Sequence, residues 1–209
     1  MASASTDSCT IHLVRHGTTL LNRQNRYRGR IDVPLDEGGW RDAWTAAEEL
    51  RDVGLAAAYA SPLRRARDTA RIIADVAGLT SVVDMPGFLN LDYGDWEGLT
   101  SDEARERDPE AYAAYQAHSL DAECPGGENL DRAAQRVILS LRTLALLHPG
   151  ETVAAVSHAA IVRLAITLVA GLPRNEWRRA LPNGSVTVFE ATGDDVRLVS
   201  IPSAVPVND

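Results

Sequence analysis

Two short apolar runs in this chain each end on a histidine: Leu13-Val14-Arg15-His16-Gly17 near the start, and Ala155-Val156-Ser157-His158 far downstream. Imidazole titrates close to neutrality, so it serves as base, acid or nucleophile with little adjustment. Arg15 stands beside the first histidine, Asn22 follows it by about one turn, and Arg65 opens a segment that starts at Ser61-Pro62. Guanidinium groups grip phosphate oxygens in pairs, and an asparagine adds a neutral donor. His158 precedes another helical run, so the free N–H groups and positive end of that helix belong to the same neighbourhood. One anion pocket accounts for all five residues.

That pocket needs strands that deliver both histidines to one edge. Ligands of open parallel α/β sheets sit outside the carboxyl ends of the strands, and the pattern of the chain predicts such a sheet. Ile11 to Val14 is a buried strand ended by Gly17, and a helix is expected from about Asp36 to Val53. Ala56 to Ala60 is a second strand. Ser61 is expected as the cap, with Pro62 at the first helical position, for a helix running from Leu63 to Ala77. Ser81 to Asp84 is a third strand and Pro86 to Thr100 a loop. Thr100 to Ser119 holds short helices broken at Pro109. Residues 93–127 form a cap-like excursion over the site. Apolar residues recur at helical spacing from Glu128 to His148 (Leu130, Ala133, Ala134, Val137, Ile138, Leu141, Leu144). Thr152 to Val156 is a core strand, Ala159 to Leu172 a buried helix, and Ser185 to Glu190 and Val196 to Ile201 closing strands. Alternation of this kind predicts a three-layer α/β sandwich, with a mostly parallel central sheet and helices on both faces, in a single domain spanning residues 1–209.

Composition narrows the partners. The 209 residues carry 29 acidic and 21 basic side chains, a net charge of -8, which argues against a polyanion such as nucleic acid. Arginine nevertheless clusters in Arg23-Gln-Asn-Arg26-Tyr-Arg28-Gly-Arg30 and in Arg64-Arg65-Ala-Arg67, and basic islands in an acidic chain point to a small anionic ligand. No stretch approaches the ~18 continuous apolar residues of a membrane span. Met1 to Cys9 is small and polar, without the features of a secretory signal, so a cytoplasmic location is expected. Cys9, expected near a mobile end, and Cys124 lack disulfide or metal-ligand spacing, and neither a metal nor a cofactor is expected. The apolar helices and the Val205-Pro206-Val207 tail permit a homodimer.

Four segments together carry a resemblance. Leu13-Val-Arg-His-Gly-Thr-Thr-Leu-Leu-Asn22, Ser61-Pro-Leu-Arg-Arg-Ala-Arg-Asp-Thr-Ala70, Tyr93-Gly-Asp-Trp-Glu-Gly98 and Val156-Ser-His158 resemble, in order, the signatures of the histidine phosphatase superfamily, also called phosphoglycerate-mutase-like. The resemblance spans roughly Ile11 to Phe189. It implies that His16 is a nucleophile forming a phosphohistidine, while Arg15, Asn22, Arg65 and His158 hold the phosphoryl oxygens. Phosphoryl transfer depends on in-line positioning and charge stabilisation, which such a set supplies, and Arg15 and Arg65 would disfavour protonation of His16. Arg28, Arg30 and Tyr93 would contact the remainder of a small phosphorylated metabolite. Ala159 stands where glycine often follows the second histidine, yet still offers its backbone N–H.

One position departs from the family. Its general acid is usually a glutamate four residues before the glycine of the Tyr-Gly step, and here that position is Asn90. General acid–base catalysis is typically worth ~10²- to 10⁴-fold, so the change matters. Asp92, on the same side of a locally extended strand, Glu128 or Glu97 replaces the acid; or the leaving group departs without a proton; or the site binds an anion with little turnover. The expected activity is a metal-independent phosphomonoesterase. A noncatalytic anion binder is the alternative from another class, and a phosphoglycerate mutase ranks below both.

Overall fold

The computed structural model describes residues 7–117, 122–172 and 180–202. Ser119 and the Val205-Pro206-Val207 tail lie outside the described residues. Six strands form one sheet: β1 (Cys9–Arg15), β2 (Leu55–Ala60), β3 (Val83–Asp84), β4 (Thr152–Ser157), β5 (Val186–Thr192) and β6 (Asp195–Ser200). Their order is β3-β2-β4-β1-β5-β6. The first four strands are mutually parallel, and β5 and β6 close the sheet antiparallel.

Helices cover both faces. α2 (Glu37–Glu49) and α3 (Arg64–Val76) bury alanines and Ile73 against Val14, Ala154 and Val156. α6 (Leu130–Leu147) and α7 (Ala159–Val169) pack on the other face, around Ile11, Leu13, Val153 and Phe189. The alternating burial of β1 explains how one strand serves two cores, since successive side chains point to opposite faces. The remaining helices are α1 (Leu20–Arg23), α4 (Ser101–Arg107) and α5 (Pro109–Gln116). Pro109 occupies the first turn of α5, where its missing N–H costs nothing. The excursion adds Tyr93, Trp96, Ala104, Tyr115, Ala122 and Cys124 to the same core cluster as α6 and α7. Tyr27 stacks on Tyr93 at 4.7 Å and on Trp96 at 5.9 Å, which fastens the loop before α2 to the excursion.

Several boundaries differ from the sequence reading. The third strand is only Val83–Asp84. α2 ends at Glu49, capped by Leu50, because Gly54 reverses the chain at φ 76°. Cys9 is wholly buried in β1 and is no part of a loose terminus. α3 is capped by Leu63 without a side-chain bond, so Ser61 is not the helix cap; its hydroxyl faces the histidines. The basic islands divide: Arg23 pairs with Asp36, Arg26 with Glu103 and Arg67 with Asp84, whereas Arg28 and Arg65 turn inward.

Candidate active site

Strand register brings the two histidines together. Arg15 on β1 is paired with Ser157 on β4, and the His16 amide donates to the Ser157 carbonyl at 3.0 Å. His16 and His158 therefore leave neighbouring parallel strands at the same level, with ring centroids 5.0 Å apart. On the other side of β4, Ala60 is paired with Val156, which places Ser61 in the same row. Its Oγ lies 2.8 Å from Nε2 of His158.

The tautomer of His16 follows from its neighbour. Nδ1 lies 2.6 Å from the Gly17 carbonyl, an acceptor only, so Nδ1 carries the proton and Nε2 keeps its lone pair. Gly17 is fixed by space: a Cβ there would meet the Gly39 carbonyl oxygen at 2.2 Å, at the start of α2. Burial, followed by repulsion from Arg65 and Arg15, holds the His16 imidazole well below its ordinary pKa; burial, Arg65 and His16 do the same to His158. Both rings are neutral near pH 7.

Arg65, in the first turn of α3, is completely buried and donates to the Ile31 carbonyl at 2.8 Å and the Gly29 carbonyl at 2.9 Å. Gly29 adopts φ 47°, and a Cβ there would strike the Glu97 carboxylate, so glycine is what lets this carbonyl turn inward. Arg15 donates to the Leu181 carbonyl. Burial, then repulsion from Arg28, pushes both guanidiniums down to about 9, with Asp42 opposing at Arg15 and Asp32 at Arg65.

Six buried side-chain polar atoms lack a hydrogen bond among the described residues, and four of them belong here: Nε of Arg15, Arg28 and Arg65, and Nδ1 of His158. Buried donors are costly to leave unpaired. Their concentration marks a place built for a polar guest. α7 begins at Ala159 with His158 as its cap and no capping side chain, so its first N–H groups are also available to an anion.

The other sequence candidates fall into two groups. Asn90 is buried and its amide donates to the Gly29 carbonyl at 3.2 Å, the same oxygen that Arg65 holds. Asn22 accepts from the Thr19 amide and hydroxyl through Oδ1, forming the capping box of α1. The Tyr93 hydroxyl meets that of Tyr115 at 3.2 Å. Asp92 and Glu128 stand together, the Asp92 amide donating to a Glu128 carboxylate oxygen at 3.4 Å. Asp92 accepts from Gly94 N at 3.0 Å and pairs with Arg30 at 3.2 Å, while Glu128 takes a two-pronged contact from Arg136 at 2.8 and 2.9 Å. Glu97 accepts from Arg30 N at 2.6 Å. The charged groups bearing most strongly on the two histidines are guanidiniums and the partner ring.

Three residues escaped the sequence reading. Ser61 was visible only as a cap. Asn183, whose amide donates to the His16 carbonyl at 2.8 Å, stands in a Pro-Asn-Gly turn signal. Arg163 is the single charge in the apolar run of α7, one turn below Ala159, and its field reaches Arg15 and Arg28. Among the described residues, no group of three His, Cys, Asp or Glu side chains is placed to hold a metal ion, and no helix is long and apolar enough to cross a membrane.

Known proteins resemble this chain in sequence and fold. The chain is 39% identical over 196 residues to the bifunctional protein Rv2228c of Mycobacterium tuberculosis, covering 90% of this chain and 52% of that protein. It is 38% identical over 155 residues to a metal-independent phosphoserine phosphatase of Arabidopsis thaliana, covering 73% of this chain and 65% of that one. The chain thus spans about half to two thirds of the length of these relatives. The solved structure of YhfR from Bacillus stearothermophilus superposes with a TM-score of 0.85 at 30% identity, over 94% of this chain and 98% of that one. Residues 11–203 match the histidine phosphatase superfamily, branch 1, so the chain belongs to that family.

Proposed function

We propose that the protein is a phosphomonoesterase acting on a small phosphorylated metabolite through a phosphohistidine on His16. The observation that carries this reading is the fixed tautomer of His16: Nδ1–H is held by the Gly17 carbonyl, and Nε2 keeps its lone pair inside a shell of unpaired guanidinium donors. In the first step Nε2 attacks phosphorus in line, the N–P bond forms and the P–O bond to the leaving group breaks. Arg15, Arg65, the α7 N-terminus and the Asn22 amide stabilise the charge on the equatorial oxygens. In the second step water attacks phosphorus, the N–P bond breaks, and inorganic phosphate leaves. Ser61 orients His158, whose ring lies against that of His16.

Asn90 shapes the leaving-group preference. Its amide cannot give up a proton, and Asp92, Glu97 and Glu128 are all engaged as acceptors by Arg30, Arg136 or backbone N–H groups. The best substrates are therefore those whose leaving group departs as a weak base: an acyl, enol or aryl phosphate. Phosphate release from paired aryl and alkyl esters, with the His16→Ala protein as control, tests both statements. The expected result is turnover that needs His16 and favours the aryl ester. Equal His16-dependent rates on both esters would show that some group supplies the proton. A labelled phosphoryl group that never appears on the protein would leave an anion-binding protein.

A further inference from the structure

We propose that Arg28 is the anchor for a second anionic group on the substrate, so that the natural ligand carries a carboxylate or a further phosphate besides the phosphoryl group held at His16. The inference rests on the phosphatase reading and adds the substrate class to it.

Arg28 lies in the loop between α1 and α2. That loop is fixed on one side by the bridge between Arg26 and Thr100 and by Tyr27 N donating to the Leu99 carbonyl at 2.8 Å. The side chain runs inward: its Nη1 donates to the Arg26 carbonyl at 3.1 Å, and its Nε is buried with no partner. Its charge bears on Arg15 and Arg65 next after their burial, and more weakly on His16 and His158, so it lies near the phosphoryl pocket. The groups that act on it in turn are the hydroxyls of Tyr93 and Tyr115 and the like charge of Arg163.

Charge balance makes this position informative. Two guanidiniums, Arg15 and Arg65, already match the two negative charges of a phosphoryl dianion. Each also lies in the field of carboxylates, Asp42 for Arg15 and Asp32 and Glu97 for Arg65. Arg28 is a third cation, partly buried with its Nε out of contact with solvent, and no carboxylate among the described residues forms an ion pair with it. Burying an uncompensated charge is expensive, and an arginine on a pocket wall recovers that cost when a ligand brings the opposite charge. The neighbouring basic residues of the same loop differ: Arg23, Arg26 and Arg30 are each paired with a carboxylate.

The test measures binding with analogues that cannot be hydrolysed. Propylphosphonate, 3-phosphonopropionate and propane-1,3-bisphosphonate would be titrated calorimetrically into the wild-type protein and into Arg28→Gln, Arg28→Lys and Arg23→Gln. A charge-assisted contact is worth roughly 10- to 100-fold in affinity. We expect a gain of that size for one of the two doubly anionic ligands over propylphosphonate, and the ligand that shows it distinguishes carboxylate from second phosphate. Arg28→Gln should remove most of the gain, Arg28→Lys should keep part of it, and Arg23→Gln, which removes an exposed charge, should keep nearly all. No gain in the wild-type protein overturns the proposal, as does a loss of equal size in Arg23→Gln. Failure to release phosphate from 4-nitrophenyl phosphate would count against the phosphatase reading alone, because the phosphonate affinities report on Arg28 without turnover.

Discussion

Two groups of arginines in this protein meet at one residue and are treated in opposite ways. Arg136 and Arg30 are saturated: Arg136 grips Glu128 with two nitrogens and the carbonyls of Gly87, Leu89 and Asn90, while Arg30 pairs with Asp92. Arg15, Arg28 and Arg65 each have a buried, unmatched Nε. Asn90 is shared, its backbone held by Arg136 and its side chain by the carbonyl that Arg65 also binds. A saturated arginine is framework, since its charge is spent within the protein. An arginine left short of acceptors is directed at something that arrives from outside.

Substitutions separate the two roles. Arg65→Gln should cost about 10²- to 10³-fold in kcat/KM, the usual loss for a charge-stabilising group, while thermal unfolding stays unchanged or moves up, because a buried cation has been removed. A large fall in Tm with activity intact would reverse the assignment. Arg136→Met should do the opposite. Glu128 is left with 11% of its side chain exposed and without its main partner, a change that typically costs ~3–5 kcal/mol, read as a fall in denaturation midpoint. If kcat drops 10³-fold with stability unaltered, Arg136 belongs to the chemistry.

Acid titration sharpens the contrast further. His16 and His158 have folded-state pKa values well below the ordinary 6.5. Below that value the unfolded chain takes up protons that the folded protein refuses, so stability is constant above about pH 6.5 and falls as the pH drops. The slope approaches about 1.4 kcal/mol per pH unit for each histidine. Chemical denaturation at pH 7 and pH 5.5 measures it, and a slope reduced by about half in His158→Asn would confirm the source. The smallest expected effect is that of Asp92→Asn. If Asp92 is framework, the ratio of aryl to alkyl ester turnover changes less than about threefold, whereas a general acid would lose ~10²- to 10⁴-fold on the alkyl ester alone.

Much of this site could be read before any coordinates. A histidine at the end of an apolar run, repeated downstream, is a local signal, and the parallel register of β1 and β4 turns it into a contact. Arg65 was legible because helix α3 begins just before it. What the sequence did not show depends on which charges find each other across the fold. Arg28 and Arg30 are two residues apart, and only the tertiary structure reveals that Arg30 meets Asp92 while Arg28 turns inward without a carboxylate. Ser61 carried a helix-cap signal that the packing of His158 overrode. Arg163 was hidden by the hydrophobicity of its helix, although one charged residue in such a run is the kind of local inconsistency that accompanies function. The third strand shrank to two residues because, at the sheet edge, it pairs only with the end of β2.

The buried thiol of Cys9 has a practical consequence. Burial, followed by the nearby charge of Glu151, lifts its pKa to about 11, and Cys124 is lifted to about 12, chiefly by burial. Neither forms a reactive thiolate near neutral pH. Cys9 begins the strand that presents His16, so a thiol reagent can reach it only when that strand leaves the sheet. The rate at which Cys9 is alkylated, measured in Cys124→Ala with and without phosphate, is thus a built-in clock for the opening of the central strand.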